Sequence, residues 1–503
     1  MKRDVNVLRD GVFDLLILGG GITGAGVALD AALRGLRVAL IDKGDFASGT
    51  SSVSSKLVHG GLRYLEHCAF HLVYEAQHER RLLLRNAPHL VRPLRFIIPL
   101  YHGTRMPRWK WRFGLTLYDL LAGASNLRRS RPLPLPAVRR EFPQLRDRLL
   151  YAGAEYYDAQ MDDARLCLEV VQTAAGQGAC VANYVEALGF DQQGGQMTAV
   201  RAVDRAGGGD FAIRARQVLN ATGPWVDVVC RLAGDTADAH LRPTKGVHVV
   251  AADVGLTAAF LLLHPFDGRV LFVIPWMGKT LIGTTDTLGD YGPDGLTVTP
   301  PEIDYLLAAY NHYLTPGLKS QDLVGHFAGL RPLIRARAGE PSALSREFRM
   351  FGSPSGLLSV AGGKYTTYRR MAEIVTAEVA RRLGCRLRGR TRDFPLDGTP
   401  RELWGRFEPE AVAALRGRHR LPETAACHLI NRYGRRALDV AAYLARDPKL
   451  AEPIVPGEPD LRAEIPYQRD FEMALFPADH LLRRTRLGLF HPHLLRSELP
   501  DVR

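Results

Sequence analysis

The sequence lacks the marks of several specialised classes. Its six cysteines (Cys68, Cys167, Cys180, Cys230, Cys385 and Cys427) are scattered with no CxxC pair. Neither a disulfide framework nor a metal site is therefore expected, and a reducing compartment is the simplest home. No apolar run reaches spanning length, because Asp14, Asp30 and several glycines interrupt the longest candidate. The charged opening MKRDVNVLRD does not read as a secretory signal. There is no internal repeat or low-complexity tract, which excludes solenoids and fibrous arrays. Acidic residues are the scarcer charge: 53 Asp and Glu stand against 66 Lys and Arg, for a net +13. Such a surface attracts phosphorylated metabolites, nucleic acid or anionic lipid. No RRM, zinc-finger or helix-turn-helix signature is present, so no nucleic-acid partner is expected. What remains is a 503-residue chain, 46% apolar, long enough for a sizeable core and more than one domain.

The chain is organised around FDLLILGGGITGAGVALDAALRGLRVALIDKGDFASGTSSVSSKLVHGGLRY, residues 13–64. A short apolar run at 15–18 reads as a buried parallel strand and opens on Gly19, Gly21 and Gly24 in GxGxxG spacing. A helix over 25–33 follows, then a second buried strand over 38–41 ending on Asp42, 23 positions after Gly19. Each part has a use: Gly19 permits the tight turn, Gly21 leaves bare backbone for a pyrophosphate, and Gly24 lets the helix pack closely. The helix N-terminus faces phosphate with its unpaired N–H groups, and Asp42 can accept hydrogen bonds from an adenosine ribose. This is a dinucleotide site.

Further loops favour a permanently held FAD over an exchanging NAD. Thr50, Ser51, Ser52, Ser55 and Lys56 lie in a hydroxyl-rich stretch suited to phosphate and ribitol oxygens. Ala221, Thr222 and Gly223 follow a late apolar run, as do Gly363 and Thr366. No second nucleotide fingerprint exists for NAD, which leaves a membrane acceptor or oxygen to take the electrons.

Short strand candidates at 247–251, 261–263, 270–275 and 280–284 read as an antiparallel sheet roofing the ligand. Residues 62–85 look helical, with one face kept apolar, and helical segments at 410–415, 423–445 and 471–486 suggest a small C-terminal bundle. The expected fold is α/β: an FAD-binding Rossmann-like domain with an antiparallel-sheet substrate domain, as in amino-acid oxidases, and a small helical C-terminal domain. Residues 1–385 would form the oxidoreductase unit, with FAD-binding parts near 10–75, 150–235 and 325–385. Substrate-domain parts would lie near 76–150 and 236–325, and the helical domain at 400–503. Arg105, Met106, Pro107, Arg108, Trp109, Lys110, Trp111 and Arg112 mix cations with tryptophans, and Phe113, Leu117, Leu120 and Leu121 recur at helical spacing. That pattern suits either core packing or an amphipathic helix lying on an anionic membrane.

The runs SSVSSKLVHGGLRYLEH, NATGPWVD, VIPWMGKTLIGTTDT, GLRPLIRA and GGKYTTYRRMAE together resemble FAD-dependent glycerol-3-phosphate dehydrogenases of the aerobic, respiratory type. The resemblance covers most of residues 13–380 and continues more weakly to RRTRL near Arg486. It implies oxidation of sn-glycerol 3-phosphate to dihydroxyacetone phosphate by hydride transfer to FAD, with quinone as acceptor. It also implies a protein bound peripherally to the cytoplasmic membrane from the cytoplasmic side. Oxygen-using glycerol-phosphate oxidases share these motifs, and an amine or amino-acid oxidase of the same architecture is the rival class. Arg63, Tyr64 and, on the resemblance alone, Arg346 are the expected phosphate ligands, since guanidinium offers a planar fork of donors. His59, Arg331 and Lys364 are the expected catalytic set: imidazole or a depressed lysine to take the hydroxyl proton, arginine to stabilise alkoxide charge. Which of the three is the base stays open. Val53 stands where relatives often carry Ala or Arg, and an atypical stretch at about 453–476 leaves homodimerisation open.

Overall fold

A computed structural model describes residues 1–103, 108–235, 239–289, 291–335 and 348–496. Strand Val12–Leu18 is apolar on both faces and buried from Leu15 to Leu18, the signature of a central parallel strand. It pairs in parallel with Val38–Ile41 on one side and Asp210–Asn220 on the other. The sheet runs Phe348–Gly352, Leu358–Gly362, Asp210–Asn220, Val12–Leu18, Val38–Ile41, Cys180–Ala182, with a hairpin of Val185–Gln193 and Gln196–Asp204 attached. Helices Ile22–Leu33, Asp163–Gly176 and Tyr368–Arg382 pack together through Ala25, Ala28, Leu166, Val170, Met371 and Val375. Four parallel strands end on one edge, and the turns after Leu18, Ile41, Asn220 and Gly362 therefore converge there, where open α/β sheets bind ligands.

The second sheet has ten strands and is antiparallel except where Ala259–Leu263 meets Val91–Tyr101. Its order is Thr287–Leu288, Thr244–Ala252, Lys279–Gly283, Val270–Trp276, Ala259–Leu263, Val91–Tyr101, Leu150–Met161, Leu57–Val58, with Leu323–Arg331 beside Thr244–Ala252 and Arg131–Pro134 beside Leu150–Met161. Helix Pro300–Tyr313 covers one face, burying Leu306 and Tyr310 against Val247, Phe260 and Ile282.

Three sequence expectations are corrected. Leu150–Met161 and Leu323–Arg331 join the second sheet, although the sequence groups 150–235 and 325–385 with the nucleotide-binding part. The expected helix over 62–85 breaks into a tight turn at Leu62–His67 and a helix at Phe70–Asn86, because Cys68 between them is left-handed at φ 53°. In the C-terminal unit, helices Trp404–His419, Glu423–Tyr433, Ala437–Leu444 and Glu464–Glu472 enclose Leu415, Leu429, Val440 and Tyr467. Gly434, at φ 56°, divides the helical segment expected over 423–445 into Glu423–Tyr433 and Ala437–Leu444. Left-handed Met473 ends Glu464–Glu472, so the helical segment expected over 471–486 is broken at 473–476 and resumes through Pro477–Asp479 and His480–Arg484.

Helix Arg108–Ala122 has two faces. Trp111, Leu115 and Tyr118 are buried, while Trp109, Phe113 and Leu120 are 66%, 67% and 72% exposed. Arg105, Met106 and Pro107 lie outside the described residues. Among those described, no helix is long and apolar enough to cross a membrane.

Candidate active site

A cavity of about 1480 Å³ runs between the converging strand ends and the antiparallel sheet. Its nucleotide end is built from bare backbone. Gly19 adopts φ +105°, and a Cβ there would come within 2.8 Å of the Ala221 carbonyl oxygen. A Cβ on Gly24 would fall 1.9 Å from the Gly19 carbonyl oxygen, so the helix can approach the strand only with glycine there. Gly21 precedes helix Ile22–Leu33 without a side-chain cap, and the Ile22 N–H donates to Ser51 Oγ at 2.9 Å. Asp42 accepts from the Gly20 N–H at 2.7 Å and the Gly44 N–H at 2.9 Å. Burial nevertheless pushes its carboxyl up to about 6, so hydroxyl donors from a ribose would be welcome there. Thr50, Ser51, Ser55, Ala221, Thr222, Gly223, Gly363 and Thr366 line the same cavity. This donor set, around a turn that a Cβ would fill, fits the extended diphosphate and ribitol of FAD.

Two expected cofactor ligands point elsewhere. Lys56 is wholly buried outside the cavity, its Nζ donating to Asp163 Oδ1 and Oδ2, both at 2.8 Å, and to the Ser52 carbonyl at 2.7 Å. Burial cost makes such a lysine seek a buried carboxylate rather than a mobile phosphate, and burial draws its pKa down to about 8. Ser52 Oγ donates to the Gly49 carbonyl and closes its own turn.

At the other end the structure brings His59, Tyr64, Arg331 and Lys364 together along one wall. Lys364 Nζ sits 3.8 Å from the centroid of the Tyr64 ring, a cation–π contact. Arg331 is held by Asp286 Oδ1 at 2.7 Å and Thr284 Oγ1 at 3.1 Å, which fixes its fork at the end of strand Leu323–Arg331. The His59 N–H donates to Thr366 Oγ1 at 3.3 Å, and the neighbouring Gly60 N–H to Asp158 Oδ1 at 3.0 Å. The side chain of Arg63, and Arg346 altogether, lie outside the described residues.

Sequence reasoning missed His248. Sitting in strand Thr244–Ala252 inside an apolar stretch, it reads as a core position. In the fold it lines the cavity, with Nε2 2.9 Å from Ser55 Oγ and its ring stacked 4.9 Å from that of Phe327. Burial, then the charges of Arg331 and Lys56, hold its pKa well below 6.5, and its buried Nδ1 has no hydrogen-bond partner among the described residues. The depressed pKa keeps this imidazole neutral beside the cavity, where it can share a hydrogen bond but is a weak base. Only its partnership with Ser55, 193 residues away, would have betrayed it.

Comparison with known proteins agrees with this architecture. The family described as FAD dependent oxidoreductase matches residues 14–369, and the C-terminal domain of alpha-glycerophosphate oxidase matches 389–503. Glycerol-3-phosphate dehydrogenase 2 of Mycobacterium tuberculosis is 39% identical over 494 residues, covering 96% of this chain and 82% of its own. The aerobic glycerol-3-phosphate dehydrogenase of Staphylococcus epidermidis is 36% identical over 501 residues, covering 96% and 89%. The crystal structure of glycerol-3-phosphate dehydrogenase from Bacillus halodurans complexed with FAD superposes with a TM-score of 0.81 at 32% identity, covering 98% of this chain and 89% of that one. Matched along nearly its whole length by these relatives and family models, the chain belongs to the FAD-dependent glycerol-3-phosphate dehydrogenases.

Proposed function

We propose that this protein oxidises sn-glycerol 3-phosphate to dihydroxyacetone phosphate and delivers the electrons to a membrane quinone. The observation that carries the reading is the single cavity, which joins a dinucleotide cradle to His59, His248, Arg331, Lys364 and Tyr64. Bound FAD would supply the acceptor for the hydride leaving the secondary carbinol carbon. It would be held by Gly19, Gly21, Asp42, Thr50, Ser51, Ser55, Thr222, Gly363 and Thr366. Arg63, Tyr64 and Arg346 would bind the substrate phosphate. Arg331, immobilised by Asp286 and Thr284, would sit against the substrate oxygen and stabilise its growing negative charge. His59 is the candidate to receive the hydroxyl proton, and the neutral His248 would contribute a hydrogen bond beside the same cavity. Lys364, pressed against Tyr64, would add positive charge to the same wall.

The acceptor side follows from helix Arg108–Ala122. Lys110, Trp111, Phe113, Gly114 and Leu117 border the cavity, and the same helix exposes Trp109 and Leu120 outward. An apolar, basic-edged helix at a cavity mouth suits a lipid surface and a hydrophobic quinone. Anaerobic addition of glycerol 3-phosphate to the yellow protein should bleach the flavin band at once, and a short-chain quinone should restore it. Bleaching by an amino acid but not by glycerol 3-phosphate would overturn the substrate. Recovery only with oxygen, accompanied by peroxide, would overturn the acceptor.

A further inference from the structure

Arg483, Arg484 and Arg486 lie more than a hundred residues beyond the last cofactor turn in sequence, yet all three reach beneath the cofactor loops. Arg483 Nε and Arg484 Nη1 each donate to Asp45 Oδ2 at 2.5 Å, and Arg484 Nη2 donates to Asp45 Oδ1 at 3.0 Å. Asp45 stands three residues after Asp42, and its Oδ1 also accepts from Asn183 Nδ2 at 3.0 Å. This anchors the turn that offers Asp42 to the ribose.

Arg486 anchors the next loop. It is 3% exposed and donates from Nη1 to the Ser52 carbonyl at 3.2 Å, and from Nη2 to Asp162 Oδ1 at 2.9 Å and Asp163 Oδ1 at 2.5 Å. Asp163 also accepts from the Ser54 N–H at 3.0 Å, from Ser54 Oγ at 2.7 Å and from Lys56, while its carbonyl accepts the Tyr365 hydroxyl at 2.5 Å. Loops 49–56 and 363–366, which supply Ser51, Ser55, Gly363 and Thr366 to the cavity, thus meet at one buried residue, Asp163, the first through its carboxylate and the second through its main-chain carbonyl. None of the three arginines borders the cavity itself.

So many buried charges make a poor adhesive, because desolvation offsets most of their attraction. What they provide, and an apolar join would not, is direction: the guanidinium donors hold the carboxylates of Asp45 and Asp163 and the Ser52 carbonyl in fixed orientation beside the cofactor loops.

We propose that Arg483, Arg484 and Arg486 are positioning residues that clamp the adenosine and flavin loops from below, making the C-terminal domain the device that retains FAD. The inference rests on the FAD site and is independent of the substrate reading.

Arg486→Met should release FAD roughly tenfold faster or more, followed as free-flavin fluorescence in substrate-free buffer with the full-length protein. Arg486→Lys keeps the charge for Asp163 but loses the fork to Ser52 and Asp162, and should release FAD about fivefold faster. A merely structural join would lower the melting temperatures of apoprotein and holoprotein alike, whereas a clamp narrows the gap between them. Wild-type release from folded Arg486→Met, or from Arg486→Lys if the methionine variant does not fold, would overturn the proposal. An unchanged gap between apo and holo melting temperatures would do the same.

Discussion

Replacing Gly24 by alanine adds one methyl group at the tightest point of the nucleotide cradle. Its Cβ would lie 1.9 Å from the Gly19 carbonyl oxygen and 3.2 Å from Ile17 Cγ2, where real Cβ contacts stay beyond 3.0 Å. The helix must therefore retreat by about 1.1 Å, and overpacking of this kind costs roughly 1–3 kcal/mol. Retreat is opposed from behind, since Gly26 on the same helix already packs against the Tyr368 ring. Strain and displacement both act where the helix N-terminus meets the diphosphate. At about 1.4 kcal/mol per tenfold, FAD affinity should fall by roughly 5- to 150-fold. The assay is titration of apoprotein with FAD, followed by quenching of flavin fluorescence. Gly176→Ala, in open space at the end of Asp163–Gly176, is the control and should change nothing. A Gly24→Ala dissociation constant within about twofold of wild type, with an unchanged melting temperature, would refute the close-packing argument.

Asp42 titrates near 6 in the folded chain, and ribose hydroxyls favour its charged form, so FAD affinity should rise as pH climbs through about 6 and then level off. Asp42→Asn should abolish that slope, and a variant with the wild-type profile would exclude the carboxylate from the site. His480 is drawn down from 6.5 to about 4, chiefly by burial, so unfolding takes up a proton below 6.5. Stability should therefore be lost as pH falls from 6.5 towards 4, and His480→Gln should flatten that part of a melting-temperature profile. Replacing Trp109 and Phe113 together by serine should lower binding to anionic vesicles by about tenfold or more in a flotation assay. Undiminished flotation would remove this helix as the membrane contact.

The nucleotide cradle was legible because its signal is local: Gly19, Gly21, Gly24 and Asp42 are spaced by one strand, one turn and one helix. The antiparallel sheet was read only in part. Val91–Tyr101 and Leu150–Met161, its two longest strands, escaped because Arg92, Pro93, Arg95 and Pro99 blur the apolar pattern of the first and Gly153, Glu155 and Asp158 that of the second. Their pairing across some 60 residues settles what propensity could not. Lys56 misled for a similar reason. A cation after five hydroxyl residues looks like a phosphate ligand until Asp163, 107 residues on, is seen to claim it. His59, Arg331 and Lys364 were singled out from their motifs and all line the cavity, whereas His248, set among valines, hides a polar partner from another segment.

The turns that embrace the cofactor begin at Gly19 and end at Thr366, and strand Leu358–Gly362 takes its place beside Asp210–Asn220 only after both have been made. A ribosome must consequently extrude nearly three quarters of this polypeptide before any holoenzyme can exist. Flavin capture is thus a late, near post-translational event, and until then the emerging βαβ unit waits with its glycine turn unfilled.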